Sequence, residues 1–344
     1  MPTDAITPTD PRVEHKFLTV EEDITYHYML AKPNGSSKAT VLLLHGWPDL
    51  ALGWRYQIPY LLSLNFKVIV PDMLGYGQTS APTELSKYSL RRMSGHLAQL
   101  IAAEADGEQH EQVFLGGHDW GAYLAYRLAI YYPHLIRGIM TFCIPFYPPE
   151  PVMTSLEDVV RGNPKFKYML QLASPIAEEI VSRSSEYLAG FLRSLFGAVT
   201  SDGQAGFSIG VGVLEDTVAE VGESPLVGRE IMDFYVNEYT RTGINGPMNW
   251  YRTREINVAE EVSLALEAEK EGKAAFELSM PAMIVMGGFD EALPPSLLDG
   301  QEKHFPEGLV KKIIPGSSHW VLIHFPEEVN AFTGEFVRGI LERN

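Results

Sequence analysis

The chain has 344 residues, 45% of them hydrophobic, which is enough for a filled core in a main domain that carries a second, smaller module. Its 27 Lys and Arg against 44 Asp and Glu give a net charge of −17, which repels phosphate backbones and anionic membrane surfaces, so nucleic acid is not an expected partner. The polar start MPTDAITPTDPRVEHK has no apolar core of the signal-peptide kind, no run approaches a membrane span, and the single Cys143, within GIMTFCI, reads as a buried structural thiol; the expected location is cytoplasmic.

In chain order, HKFLTV and ITYHYMLA read as an antiparallel pair leading in. ATVLLLHG, FKVIVPD, QVFLGGHD and IRGIMTFCI follow as short, almost continuously apolar strands, with helical-period stretches at Trp54–Leu64, Leu90–Ala103 and Gly121–Tyr131 between them. Strands of that kind belong to a parallel sheet with helices on both faces. The alternation stops near Ile144 and resumes at PAMIVMGG and LVKKIIPG, before a last helix over Glu327–Leu341. The expected fold class is therefore α/β, a mostly parallel, doubly wound sheet of about eight strands, with core segments 1–145 and 277–344. The interval 146–276 opens with FYPPEP, has helical patterns, a Gly-rich loop FGAVTSDGQAGFSIGVG and no strand signal, and reads as a mainly helical cap that would enclose a pocket over the strand ends.

QVFLGGHDWGA passes from an apolar strand straight into a helix, with small residues Gly117, Gly121 and Ala122 around Asp119. This is the nucleophile elbow of the α/β-hydrolase fold with Asp in place of Ser. From the local residues alone an N-cap role for Asp119 is equally open; the glycines and the partners below favour chemistry. A carboxylate is already ionised at neutral pH and suits attack on sp³ carbon, giving an alkyl ester that water must then cleave. That second step needs a base and an oxyanion hole.

His319, in PGSSHW after the last strand, is the base candidate, with His324 the weaker neighbour. Asp290, in MGGFDEALPP after the preceding strand, is the residue to orient it, with Glu291 the weaker alternative. The order Asp119, Asp290, His319 is that of nucleophile, acid, histidine in these hydrolases. HGWPD after the strand ATVLLL places the backbone N–H of Trp47 as one oxyanion donor, and that of Trp120 as the second. His118 is expected behind the site in a structural role, and Asp72 is expected to order the loop after its strand. No H-E-x-x-H or Cys cluster indicates a metal, and no cofactor is expected.

Together HGWP, VPDMLGYGQTSAP, GGHDWGA, GGFDEALPP and SSHW resemble the soluble epoxide hydrolase family, of the microbial or fungal type, over nearly the whole chain. The resemblance extends into the cap through NPKFKYMLQL, AEEIVSRSSEYLAGFLRSLFG and GPMNWYRTRE, and implies that Tyr168 and Tyr251 are the family's two epoxide-oxygen tyrosines. A phenol stays protonated at pH 7 and can supply the proton that ring opening demands. The implied reaction converts an apolar epoxide and water to a vicinal diol, with Trp47, Trp120 and Phe166 contacting substrate beside the two tyrosines. GGFDEA departs from the family's more usual lysine-containing turn, and the family's bond at Trp47-Pro48 is typically cis. Haloalkane and haloacid dehalogenases share the aspartate elbow but lack the tyrosine pair; a non-catalytic small-molecule receptor is the other alternative. Monomer and homodimer both remain open.

Overall fold

A computed structural model describes residues 3–105, 112–270 and 276–343. By its internal contacts the chain forms two compact units, one of residues 1–73, 90–151 and 260–344, the other of residues 74–89 and 152–259.

The first unit is built on an eight-stranded sheet. Its strands are β1 (Glu14–Glu21), β2 (Ile24–Ala31), β3 (Thr40–Leu44), β4 (Lys67–Pro71), β5 (Val113–His118), β6 (Ile136–Phe142), β9 (Ala282–Gly287) and β10 (Leu309–Ile314), in the order β1-β2-β4-β3-β5-β6-β9-β10. β1–β2 and β2–β4 pair antiparallel, and from β4 to β10 every pairing is parallel. The expected strands are all present. Every residue of β3, β4, β5 and β9 is buried, which is why they are apolar but for Thr40, Lys67 and His118 at their ends instead of alternating. β10 is an edge strand, with Val310, Lys311 and Ile313 exposed and charged Lys311 and Lys312 along it. Helices Leu90–Ala103 and Trp120–Tyr131 pack together, as do Gln57–Ser63 and Pro326–Leu341. Leu42, Leu43 and Leu44 are at most 1% exposed, each contributing on the order of 1.5–3 kcal/mol by burial. Register pairs Leu44 with Gly117, His118 with Phe142 and Phe142 with Val285, so the loops that follow these strands leave the sheet at a common edge.

The second unit is mainly helical, as expected of the interval after β6, with two corrections. The Gly-rich loop, read as strandless, holds a hairpin of two-residue strands, β7 (Phe207–Ser208) and β8 (Gly212–Val213), too short for any alternation to register in the sequence. And the unit does not coincide with 146–276: it runs over 152–259 and takes in 74–89, the loop after β4. That loop is gathered in because Trp250 Nε1–H donates to Leu74 O at 3.0 Å and Gly246 leaves room for Gly75, where an added Cβ would lie 2.7 Å from Gly75 Cα. Residues 271–275, at the far end of the expected cap, lie outside the described residues. Among the described residues no helix is long and apolar enough to cross a membrane.

Candidate active site

Asp119 stands between β5 and the helix Trp120–Tyr131, at φ 51° and ψ −125°. A non-glycine residue in that region costs of order 1–3 kcal/mol, which the surrounding packing must over-determine. The packing is close: a Cβ on Gly46 would fall 2.4 Å from Asp119 Cβ, and one on Gly121 would fall 2.3 Å from Leu44 O. Asp119 N–H donates to Phe142 O at 3.2 Å, tying the bend to β6. The side chain makes no capping hydrogen bond to the helix behind it, so the N-cap alternative does not describe it. It turns to the loop after β3, where Trp47 N–H donates to Asp119 Oδ1 at 2.8 Å. The Trp47-Pro48 peptide is cis. Trp120 opens the helix directly after Asp119, with its backbone N–H at the helix N-terminus.

On the other oxygen, Asp119 Oδ2 lies 3.4 Å from His319 Nε2, while His319 Nδ1–H donates to Asp290 Oδ2 at 2.6 Å. Asp290 is buried, and its second oxygen, Oδ1, accepts Ala292 N–H at 3.1 Å and Leu293 N–H at 2.9 Å. The carboxylate is thus held on both sides and fixes the imidazole in one orientation. Glu291 is exposed and takes no such place. His324 ends the short helix Val321–His324, where its Nδ1 accepts Ser318 N–H at 3.4 Å.

Charge follows from this geometry. Burial disfavours the Asp119 carboxylate, but His319, His118 and the Trp47 N–H more than offset it and hold its pKa below the usual range. Burial likewise disfavours a charged His319, and the two flanking carboxylates overcome it, raising its pKa to about 10. The carboxylates of Asp119 and Asp290 on either side thus favour the charged form of His319.

His118 and Cys143, both expected in structural roles, converge on a partner that the sequence does not name. His118 Nε2–H donates to His319 O at 2.9 Å, and Cys143 Sγ–H donates to the same oxygen at 3.0 Å. Burial first, and repulsion from His319 second, lower the His118 pKa to about 4, so it serves as a neutral donor. Cys143 is fully buried at a positive φ of 64°, and burial pushes its thiol up, consistent with the structural role expected of it. Among the described residues His118, Cys143 and His319 form the one group with metal-ligand atoms within 4.8 Å of one another, and each is already engaged in the hydrogen bonds above. Asp72, expected to order the loop after its strand, makes these side-chain bonds to other elements: Oδ1 accepts Ala51 N–H at 2.9 Å, beyond the Trp47 turn, and Oδ2 pairs with His27 Nδ1 at 2.7 Å.

Within the second unit, Tyr168 opens the helix Tyr168–Ala173 and Tyr251 lies in the helix Asn245–Arg252. Their rings meet edge to face at 6.3 Å between centroids. The two tyrosines are 83 positions apart in sequence, and the fold brings them together. Phe166 is half-buried in the turn Pro164–Phe166 just ahead.

A family model described as the alpha/beta hydrolase fold matches residues 39–186. The epoxide hydrolase srdG of Neurospora crassa is 53% identical over 349 residues, covering 99% of this chain and 100% of that protein. The bifunctional epoxide hydrolase 2 of Mus musculus is 31% identical over 330 residues, which are 94% of this chain and 55% of the mouse protein, so the chain spans about half of that longer relative. The crystal structure of the epoxide hydrolase VrEH1 from Vigna radiata superposes with a TM-score of 0.76 at 23% identity, over 95% of this chain and 98% of that one, a likeness of fold.

Proposed function

The chain belongs to the epoxide hydrolases of the α/β-hydrolase fold and adds water to epoxides to give vicinal diols, and from that premise we propose how its residues divide the work. Asp119 attacks a ring carbon; the carbon–oxygen bond of the epoxide breaks, and the departing oxygen takes a proton from Tyr168 or Tyr251, which hold it by hydrogen bonds. The product of this step is an ester of Asp119. Water then adds to the carboxyl carbon of Asp119, His319 takes one of its protons, and the acyl–oxygen bond breaks as the departing diol oxygen takes the other, which returns Asp119 as a carboxylate. Trp47 and Trp120 N–H groups hold the oxyanion between these events, each donor contributing roughly 3 to 4 kcal/mol in comparable sites.

The observation that carries this reading is the single imidazole set between Asp119 and Asp290, with Trp47 N–H on the opposite oxygen of Asp119. It also accounts for the timing. While Asp119 is anionic it helps keep His319 protonated; esterification removes that charge, so His319 releases its proton more readily at the step where it must act as a base. Ring opening leaves a phenolate, and the proton His319 gives up restores it.

We take the unit of residues 74–89 and 152–259 as the cap module that supplies the tyrosines and, with Phe166, Trp47 and Trp120, the apolar contacts to substrate. We also infer a cytoplasmic enzyme with no nucleic-acid partner, supported by its charge of −17, and a reaction carried by side chains without cofactor or metal. His319→Gln tests the division of labour. Asp119 stays competent to attack, ester hydrolysis falls on the order of 10³-fold, and the Asp119 peptide gains the mass of the substrate. Continued turnover with no such adduct overturns the assignment.

A further inference from the structure

The helix that Tyr168 opens has only six residues, Tyr168–Ala173, and its N-cap, Lys167, makes no side-chain capping bond. Helices shorter than about 12–15 residues are marginal by themselves, so the place of Tyr168 is set by what holds this one turn and a half. On one side it is tied to the β7–β8 hairpin. Tyr168 N–H donates to Ile209 O at 3.1 Å, and the Gln171 amide clasps the Val213 peptide, Oε1 accepting its N–H at 2.7 Å and Nε2–H donating to its carbonyl at 3.0 Å.

The other tie comes from the residue after Tyr251. Arg252 Nε–H donates to Ala173 O at 3.0 Å and Nη2–H donates to Ser174 O at 3.2 Å, which are the carbonyls at the end of the Tyr168 helix. The fork is itself aimed: Nη2–H also donates to Glu178 Oε2 at 2.9 Å, and Nη1–H donates to Asn249 Oδ1 at 3.1 Å. Glu178 accepts from Asn245 Nδ2–H as well, at 3.1 Å on each oxygen, so the helix Asn245–Arg252 is gripped at both ends. One guanidinium therefore spans the only two helices that carry the paired phenols.

We propose that Arg252 is a positioning residue for epoxide opening: it fixes the spacing of Tyr168 and Tyr251, with Glu178 holding its fork in line. The proposal rests on the reading of those tyrosines as the donors to the epoxide oxygen. Two phenols must reach one oxygen, and misplacing a group at a reacting centre by about 1 Å can cost up to about 10²-fold. Lysine cannot substitute, because a single ammonium head does not reproduce a planar fork that serves two successive carbonyls and a carboxylate at once.

The test follows ester formation and ester hydrolysis separately, by rapid-quench mass measurement of the Asp119 peptide with styrene oxide, in the full-length protein. For Arg252→Met and Arg252→Lys we expect ester formation to slow about tenfold while ester hydrolysis stays within twofold of the parent; Glu178→Gln should show the same selectivity at about threefold. Loss of thermal stability with an unchanged ratio of the two rates would make Arg252 merely structural and overturn the proposal, as would full rescue by Lys. If the Arg252 variants do not fold, Glu178→Gln decides alone: an unchanged formation rate overturns it. Tyr168→Phe and Tyr251→Phe are run alongside. If neither slows ester formation, the reading of the tyrosines fails; if they do and Arg252→Met does not, only the positioning role fails.

Discussion

Asp119 and Asp290 follow the buried strands β5 and β9 and are fixed mainly by backbone, Trp47 N–H and Phe142 O on Asp119 and Ala292 and Leu293 N–H on Asp290, while His319, in the loop after β10, is held through Asp290 and, at its own carbonyl, by the His118 and Cys143 side chains. Tyr168 and Tyr251 stand on helices of six and eight residues and are fixed by long side chains, Arg252, Glu178 and Gln171. Backbone anchors cannot be substituted away without changing the fold, whereas side-chain anchors can be exchanged one at a time. The two carboxylates we assign to ester formation and to orienting the base are thereby held by the fold itself, and the phenols we assign to the epoxide oxygen are held adjustably. Selectivity among epoxides is the property this arrangement leaves open to change.

Asp290→Asn should leave the fold intact, since Oδ1 can still accept its two backbone N–H groups, yet it removes the charge that orients and stabilises the His319 imidazolium. Ester hydrolysis should fall by about 10³- to 10⁴-fold in stopped-flow measurements, and a loss under tenfold would mean that Asp290 is dispensable. Tyr168→Phe and Tyr251→Phe should each slow ester formation by about 10- to 100-fold, less than the Asp290 change, because the remaining phenol still holds the oxygen. The double variant should lose more than either; equal rates for double and single would show that one tyrosine does all the work.

The smallest effect is on stability. His319 has a raised pKa in the folded protein, so its charge contributes stability that is fully present below the unfolded value near 6.5 and is lost as pH rises through about 10. The melting-temperature gap between the parent and His319→Gln should therefore narrow from pH 7 to pH 10.5. A constant gap would place His319 outside the charge network.

Much of the first unit is legible in sequence because its signals are local. VLLL and VFLGG are unbroken apolar runs, short and bounded by turn residues as strands covered on both faces are, so Asp119 and Asp290 fall just after strands once these are found, and His319 in the loop after the last one. The small residues around Asp119 report a bend too tight for side chains, as Gly121 against Leu44 O bears out. What escaped are the contacts between distant positions. LGYGQTS reads as an ordinary loop after β4, and nothing near it announces that Trp250 and Gly246 will gather it into the second unit. The convergence of His118 and Cys143 on one carbonyl of His319 joins residues 201 and 176 positions away from it. β7 and β8 are two residues each, below the length at which a period shows. The tyrosine pair was legible through family likeness alone, since sixteen tyrosines offer no local sign of which two will meet.

The most direct measurement is a single turnover in heavy-oxygen water with enzyme in excess over an epoxide such as styrene oxide, followed by mass spectrometry of the Asp119 peptide and of the diol. If Asp119 becomes esterified and water cleaves the ester at its carboxyl carbon, the label enters Asp119 and the diol of this first cycle carries none. Label found in the diol from the outset, with an unlabelled Asp119, would mean that water attacks the epoxide directly and would contradict the account.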